Sequence, residues 1–296
     1  MQPLRGMLVV DFSRYLPGAF ASRELLELGA RVVCVEPPGG DPMRSTAPAW
    51  DAALREGKES LEVDLKGDAA PALELVREAD VVLESFRPGV ASRLGIGPEH
   101  APDRTVYCSL TGFGVGGHHE QRAGHDLNYL GWAGVLWDTA PALPPVQVAD
   151  FAAGALGAVT KILTALLERE RTGEGSRVVV SLTHGSHRLV AHRLEGEPVP
   201  RMLTGGLACY RIYETTDGRH LTVAALEAAF FRRLTELLGR PDLAERQYDS
   251  DQETLASELA AIFRGRTLAE WLELFETEDV CAGPVATIAE AAADLG

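Results

Sequence analysis

The chain has 296 residues, 28 basic and 43 acidic side chains, and a net charge of −15 at pH 7. That length suits one or two domains with a substantial core, and 46% hydrophobic with 24% charged residues excludes general disorder. The acidity argues against nonspecific binding to nucleic acid or an anionic membrane, so an anionic ligand has to be met by locally clustered basic residues.

Cys34, Cys108, Cys209 and Cys281 are far apart, with no CxxC pair and no histidine at zinc-site spacing. Neither a disulfide framework nor a structural metal is expected, and Cys34 and Cys108 read as reduced core residues. The N-terminus, MQPLRGMLVV, lacks the apolar stretch of a signal peptide. No window approaches the roughly 18 uninterrupted apolar residues of a membrane span. A cytoplasmic location without membrane or nucleic-acid partners is the expectation.

Strand and helix signals alternate through the first half. Met7–Phe12 is a short apolar run suited to a buried strand, and Ala19–Leu28 has helical spacing, with Pro17-Gly18 before it and Gly29 at its stop. Arg31–Val35 reads as a strand, Asp68–Arg77 as a helix, and Val81–Phe86 and Thr105–Thr111 as strands. This alternation predicts βαβ units and a largely parallel sheet. Phe151–Leu167 is a long buried helix, begun at Asp150 and closed by a charged run and Gly173, and Arg177–Leu182 is a further strand. The Gly-, Pro- and charge-rich stretch 191–206 reads as a linker after a large domain over 1–190. A smaller α+β domain over 207–280 follows. Its hairpin, Tyr210–Tyr213 and His220–Ala224, turns at Asp217-Gly218, and helices are expected over Glu227–Leu238, Gln252–Phe263 and Leu268–Phe275. Residues 281–296 are a short final segment.

The glycine cluster Gly112-Phe113-Gly114-Val115-Gly116-Gly117 lacks both the spacing and the following apolar helix of a dinucleotide fingerprint, and reads as a loop after a strand. Gly124-His125-Asp126-Leu127-Asn128-Tyr129 gathers an imidazole, a carboxylate, an amide and a phenol. Histidine is suited to proton transfer near neutral pH, although an ordinary hydrogen-bonded histidine fits the same residues. Asp150 is either a helix cap or a carboxylate held at a helix N-terminus as a base or nucleophile. Glu227 is a lone acid in an apolar stretch, at a helix start. The basic residues Arg14, Arg44, Arg55, Lys58, Arg87 and Arg93 fall in or just after turns, either as scattered solvated charges or as an anion-binding rim at one sheet edge.

Taken together, the segments LLELGARVVCVEPPGGDPMR, REGKESLEVDLK, ADVVLESFRPGVASRLGIG, GHDLNY and RTGEGSRVVVSL, in that order, resemble the family III CoA-transferase and α-methylacyl-CoA racemase family over nearly the whole chain. The resemblance implies a Rossmann-like large domain with a parallel sheet plus a smaller α+β domain, in an intertwined homodimer. It implies an acyl-CoA substrate and no cofactor beyond the CoA that the substrate carries. Racemases of the family carry histidine where transferases carry an aromatic residue, and His125 stands at that position. Asp150 matches the catalytic aspartate, and Glu227 matches the glutamate that supports the histidine across the dimer interface. Arg55, Lys58, Arg87 and Tyr129 would lie near CoA, and Asp126 would bind substrate or help to orient His125. The implied reaction is racemisation of a 2-methylacyl-CoA, with His125 and Asp150 as the two bases and backbone N–H groups at the start of the Asp150 helix holding the enolate oxygen. The alternatives are a CoA-transferase in which Asp150 forms an aspartyl-CoA thioester, and a CoA-binding protein without activity. The chain is short beside the family pattern, so within the final segment 281–296 the return to the large domain is either nearly absent or made by Ala286–Gly296 alone.

Overall fold

The computed structural model describes residues 1–196, 199 and 201–295. Positions 197, 198 and 200 of the expected linker, and Gly296 of the final segment, lie outside the described residues. The chain divides into two compact units, Met1–Leu194 and Glu195–Gly296.

The first unit is built on a six-stranded sheet of β1 (Leu8–Asp11), β2 (Arg31–Glu36), β3 (Glu59–Glu62), β4 (Val81–Glu84), β5 (Val106–Thr111) and β6 (Arg177–Ser181), in the order β3-β2-β1-β4-β5-β6. All five pairings are parallel. The order reverses between β1 and β4, and in such sheets ligands bind at the carboxyl ends of the strands beside that reversal. β1 and β4 are buried at every position, as their apolar runs require. Their side chains alternate between two cores, one with Val9, Val81 and Leu83, the other with Val10 and Val82. β3 was not among the expected strands. It is an edge strand, Glu-Ser-Leu-Glu, that buries no residue fully and so lacks an apolar signal.

The first helix, Tyr15–Glu27, begins earlier than expected and takes Pro17 and Gly18 into its opening turn. Proline is tolerated there because a first-turn N–H has no intrahelical acceptor to lose. The long helix spans Ala149–Thr172, with its first turns, Ala149–Leu156, wound more widely. By length and composition it could cross a membrane. Within this unit it is a core helix: Ala155, Ala158, Ile162 and Leu166 are buried among Val9, Val81 and Cys108. The helix Leu182–Val190 crosses it closely at Gly185, where a Cβ would stand 2.8 Å from that of Ala153. Gly173 ends the long helix with φ +77° and donates its N–H to the Arg169 carbonyl at 2.8 Å. Gly173→Ala is therefore expected to cost about 1 kcal/mol, read as a lowered urea midpoint with an unchanged slope.

In the second unit β7 (Tyr210–Glu214) and β8 (His220–Ala224) form the expected antiparallel hairpin. The helices Ala228–Leu237, Gln252–Phe263 and Leu268–Phe275 pack a core around Phe231, Leu234, Phe263 and Trp271. The final segment adds a strand and a helix to the second unit. Its residues Ala282–Pro284 form β9, which pairs with β8, and Glu290 of the helix Ile288–Leu295 pairs with Arg219 at 2.9 Å. β8 had one unpaired edge, and the nearest strand in the chain satisfies its N–H and C=O groups.

Candidate active site

The GHDLNY motif is a helix start. His125 is the N-cap of the helix Asp126–Trp132, in an extended conformation. Its N–H donates to Asn128 Oδ1 at 3.0 Å, and its carbonyl accepts the Asn128 N–H at 2.8 Å. The Tyr129 hydroxyl donates to the Gly124 carbonyl at 2.5 Å. These bonds use the backbone and leave the imidazole of His125 exposed at the head of the helix.

Asp126 joins this helix to the long one. Its Oδ1 accepts the Asp150 N–H at 2.9 Å, and its carboxylate also accepts from the Ala149 N–H. The residue expected to bind substrate or orient His125 thus caps the helix that carries Asp150. Burial raises the Asp126 carboxyl, and the two N–H bonds counter that in part. The Asp150 carboxyl is raised to about 7, first by burial and then by the charge of Asp126. At neutral pH both its forms are populated, which suits a carboxyl to proton transfer. Asp126→Asn keeps the accepting oxygen and removes the charge. The Asp150 limb of the kcat/KM profile is expected to move below about 7 in that variant.

Beside these residues is a cavity of about 270 Å³, lined by His125 and Tyr129 together with Ser85, Arg87, Thr111 and Arg122. The Tyr129 phenol is raised by burial and by the charge of Asp150, against an opposing effect of Arg87. Tyr129 also explains two glycines, Gly112 of the cluster that reads as a loop and Gly124 of the motif itself. A Cβ on Gly112 would lie 2.5 Å from its ring, and one on Gly124 2.7 Å from it. A second cavity of about 250 Å³ is lined by Phe12, Arg14, Pro37, Lys66 and Phe86, and Phe86 lines both. Both lie at the carboxyl ends of the parallel strands, near the reversal between β1 and β4.

The structure brings His125, Tyr129 and Arg87 to one cavity, with Asp126 and Asp150 bonded beside them. It does not bring Arg55 and Lys58 to either cavity. Arg55 pairs with Glu36, with Asp51 at 2.5 Å and with Asp41 at 3.5 Å. Lys58 Nζ donates to the Ala19 carbonyl at 2.7 Å and to Ser22 Oγ at 2.8 Å, and burial lowers its pKa. Both are internal ties. Lys66 and Arg122, which the sequence reading did not single out, supply cations to the cavities instead. Their signal was position, Lys66 just after β3 and Arg122 just before Gly124-His125.

Glu227 lies in the second unit, as the N-cap of the helix Ala228–Leu237. Its side chain makes no capping bond and is exposed. Its charge contributes to raising the Tyr248 phenol and the Cys281 thiol.

The sequence profile described as CoA-transferase family III matches residues 4–295. The chain belongs to this family. Among its family III relatives it is 35% identical to the human alpha-methylacyl-CoA racemase over 308 positions, covering 97% of this chain and 78% of the relative. It is 31% identical to the acetyl-CoA:oxalate CoA-transferase of Acetobacter aceti over 321 positions, covering 98% and 82%. The crystal structure of a hypothetical protein from Mycobacterium tuberculosis superposes with a TM-score of 0.86 at 31% identity, covering 99% of this chain and 86% of that one. The family is one of enzymes, and its members named here include both a racemase and a CoA-transferase.

Proposed function

We propose that this family III chain racemises 2-methylacyl-CoA thioesters by moving the α-proton between two faces. The carrying observation is the Asp126 bond. It fixes the backbone of Asp150, a carboxyl titrating near neutrality, next to the residue that follows His125. A thioester acidifies the proton at Cα, and inversion needs one group to take that proton and a second to return one on the opposite face. An imidazole and a carboxyl of suitable pKa supply that pair, each contributing on the order of 10²–10⁴-fold.

The enolate oxygen needs donors, and here the expectation changes. The N–H groups of Ala149 and Asp150, expected to serve, donate to Asp126. Among the described residues the Asp126 and Leu127 N–H groups, at the start of the helix after His125, have no protein acceptor. We assign the thioester oxygen to them. The two cavities sharing Phe86 suit a long ligand whose phosphates meet Arg14 and Lys66 and whose thioester end meets Arg87, Arg122 and His125. These cations gather basic contacts locally in a chain of net charge −15, although Asp64 and Glu120 share the two linings. The reading includes a homodimer in which Glu227 of one copy supports His125 of the other, and no cofactor beyond CoA.

A second reading, CoA transfer through an Asp150 thioester, is favoured by the transferase relative and by the same carboxyl. The deciding experiment incubates a resolved 2-methylacyl-CoA with the protein, with and without an acceptor carboxylate. Loss of optical purity without acceptor supports the racemase. CoA exchange that needs acceptor, with a hydroxylamine-sensitive adduct on Asp150, supports the transferase.

A further inference from the structure

Glu84 is the last residue of β4, 5% exposed, and stands opposite Ser109 of β5. One oxygen, Oε2, accepts the Phe86 N–H at 2.7 Å, and the Ser109 hydroxyl also donates to the carboxyl. Among the described residues no cation offsets its charge, and burial raises it to about 7. The titratable groups that feel it are the Tyr107 phenol and the Cys108 thiol of β5, both raised in part by its charge. Asp11, at the end of the adjacent β1, is occupied by Ser13 and Ser22. A buried carboxyl without a cation costs stability, and the use that offsets this cost is its bond to the Phe86 N–H.

That use is local. Ser85, Phe86, Arg87 and Pro88 follow Glu84 directly, and all four line the cavity of His125 and Tyr129. The turn has outer ties, from the Arg14 N–H to Ser85 Oγ at 3.0 Å and from Gln121 Nε2 to the Pro88 carbonyl at 3.3 Å. Glu84 supplies the tie from beneath, at the residue before Arg87. We propose that Glu84 is a positioning residue: through the Phe86 N–H it sets the turn that aims Arg87 at the acyl-CoA in this cavity. The inference rests on the reading of the cavity as an acyl-CoA site, and it adds a residue that touches no substrate.

The test uses the full chain, with free CoA as the probe in calorimetry. Glu84→Met keeps length and removes the acceptor, and the CoA Kd is expected to rise about tenfold. Glu84→Gln keeps an acceptor and is expected to rescue binding to within about threefold of the native value. In an Arg87→Ala chain, adding Glu84→Met is expected to change little more, because the effect runs through Arg87. Native binding by Glu84→Met, or binding by Glu84→Gln as weak as that of Glu84→Met, overturns the proposal. Hydrogen exchange at the Phe86 amide of the native chain is read alongside. Protection is expected, and rapid exchange overturns the proposal even if Glu84→Met does not fold. A native chain that fails to bind CoA would instead count against the functional reading.

Discussion

His125→Ala and Asp150→Asn are each expected to slow racemisation of a 2-methylacyl-CoA by about 10²–10⁴-fold, and to leave different residues of activity. Inversion needs both groups, so either variant loses it. Exchange of the α-proton with solvent needs only the group on the proton's own face. Each variant should therefore retain slow deuterium incorporation with unchanged configuration, from one enantiomer only. The enantiomer should differ between the two variants, because the remaining bases sit on opposite faces. Chiral chromatography with mass spectrometry reads both quantities in one sample. If His125→Ala inverted both enantiomers at the native rate, the assignment of His125 would fail. Under the transferase reading His125→Ala leaves CoA transfer in place and Asp150→Asn removes it.

The second large effect is on pH. The two working forms of the racemase pair, a proton on Asp150 or a proton on His125, hold the same number of protons. Either enantiomer thus requires the pair to hold one proton, and kcat/KM should fall about tenfold per pH unit on both sides of an optimum, with the same curve from both enantiomers. The Asp150 limb is expected at about 7. A nucleophilic Asp150 needs only its ionised form. The transferase profile would then rise through about 7 and stay level above it. A level plateau at high pH would contradict the two-base account.

Legibility in the sequence followed burial. β1 and β4 are buried on both faces, and their unbroken apolar runs announced them. β3 exposes most of its side chains, and no pattern marked it. The helix after His125 escaped because it is only seven residues long and depends on the Asn128 and Tyr129 bonds more than on an apolar stripe. His125 and Asp150 were legible as chemistry, but their link was not, since the Asp126 bond spans 24 residues of sequence. Arg55 and Lys58 show what charge in a sequence leaves out. Their charges suggested a ligand rim, yet each is held by groups that only the folded chain brings near, Glu36 for Arg55 and Ala19 for Lys58. Lys66 and Arg122 became visible once the strand ends were in place.

The central claim is that a proton at Cα leaves from one face and another arrives on the opposite face. Its most direct measurement places one enantiomer of a 2-methylacyl-CoA with the native protein in D₂O and follows configuration and Cα deuterium together. The account predicts convergence to an equal mixture from either enantiomer, with deuterium at Cα in every inverted molecule. Configuration held and no deuterium at Cα would contradict it.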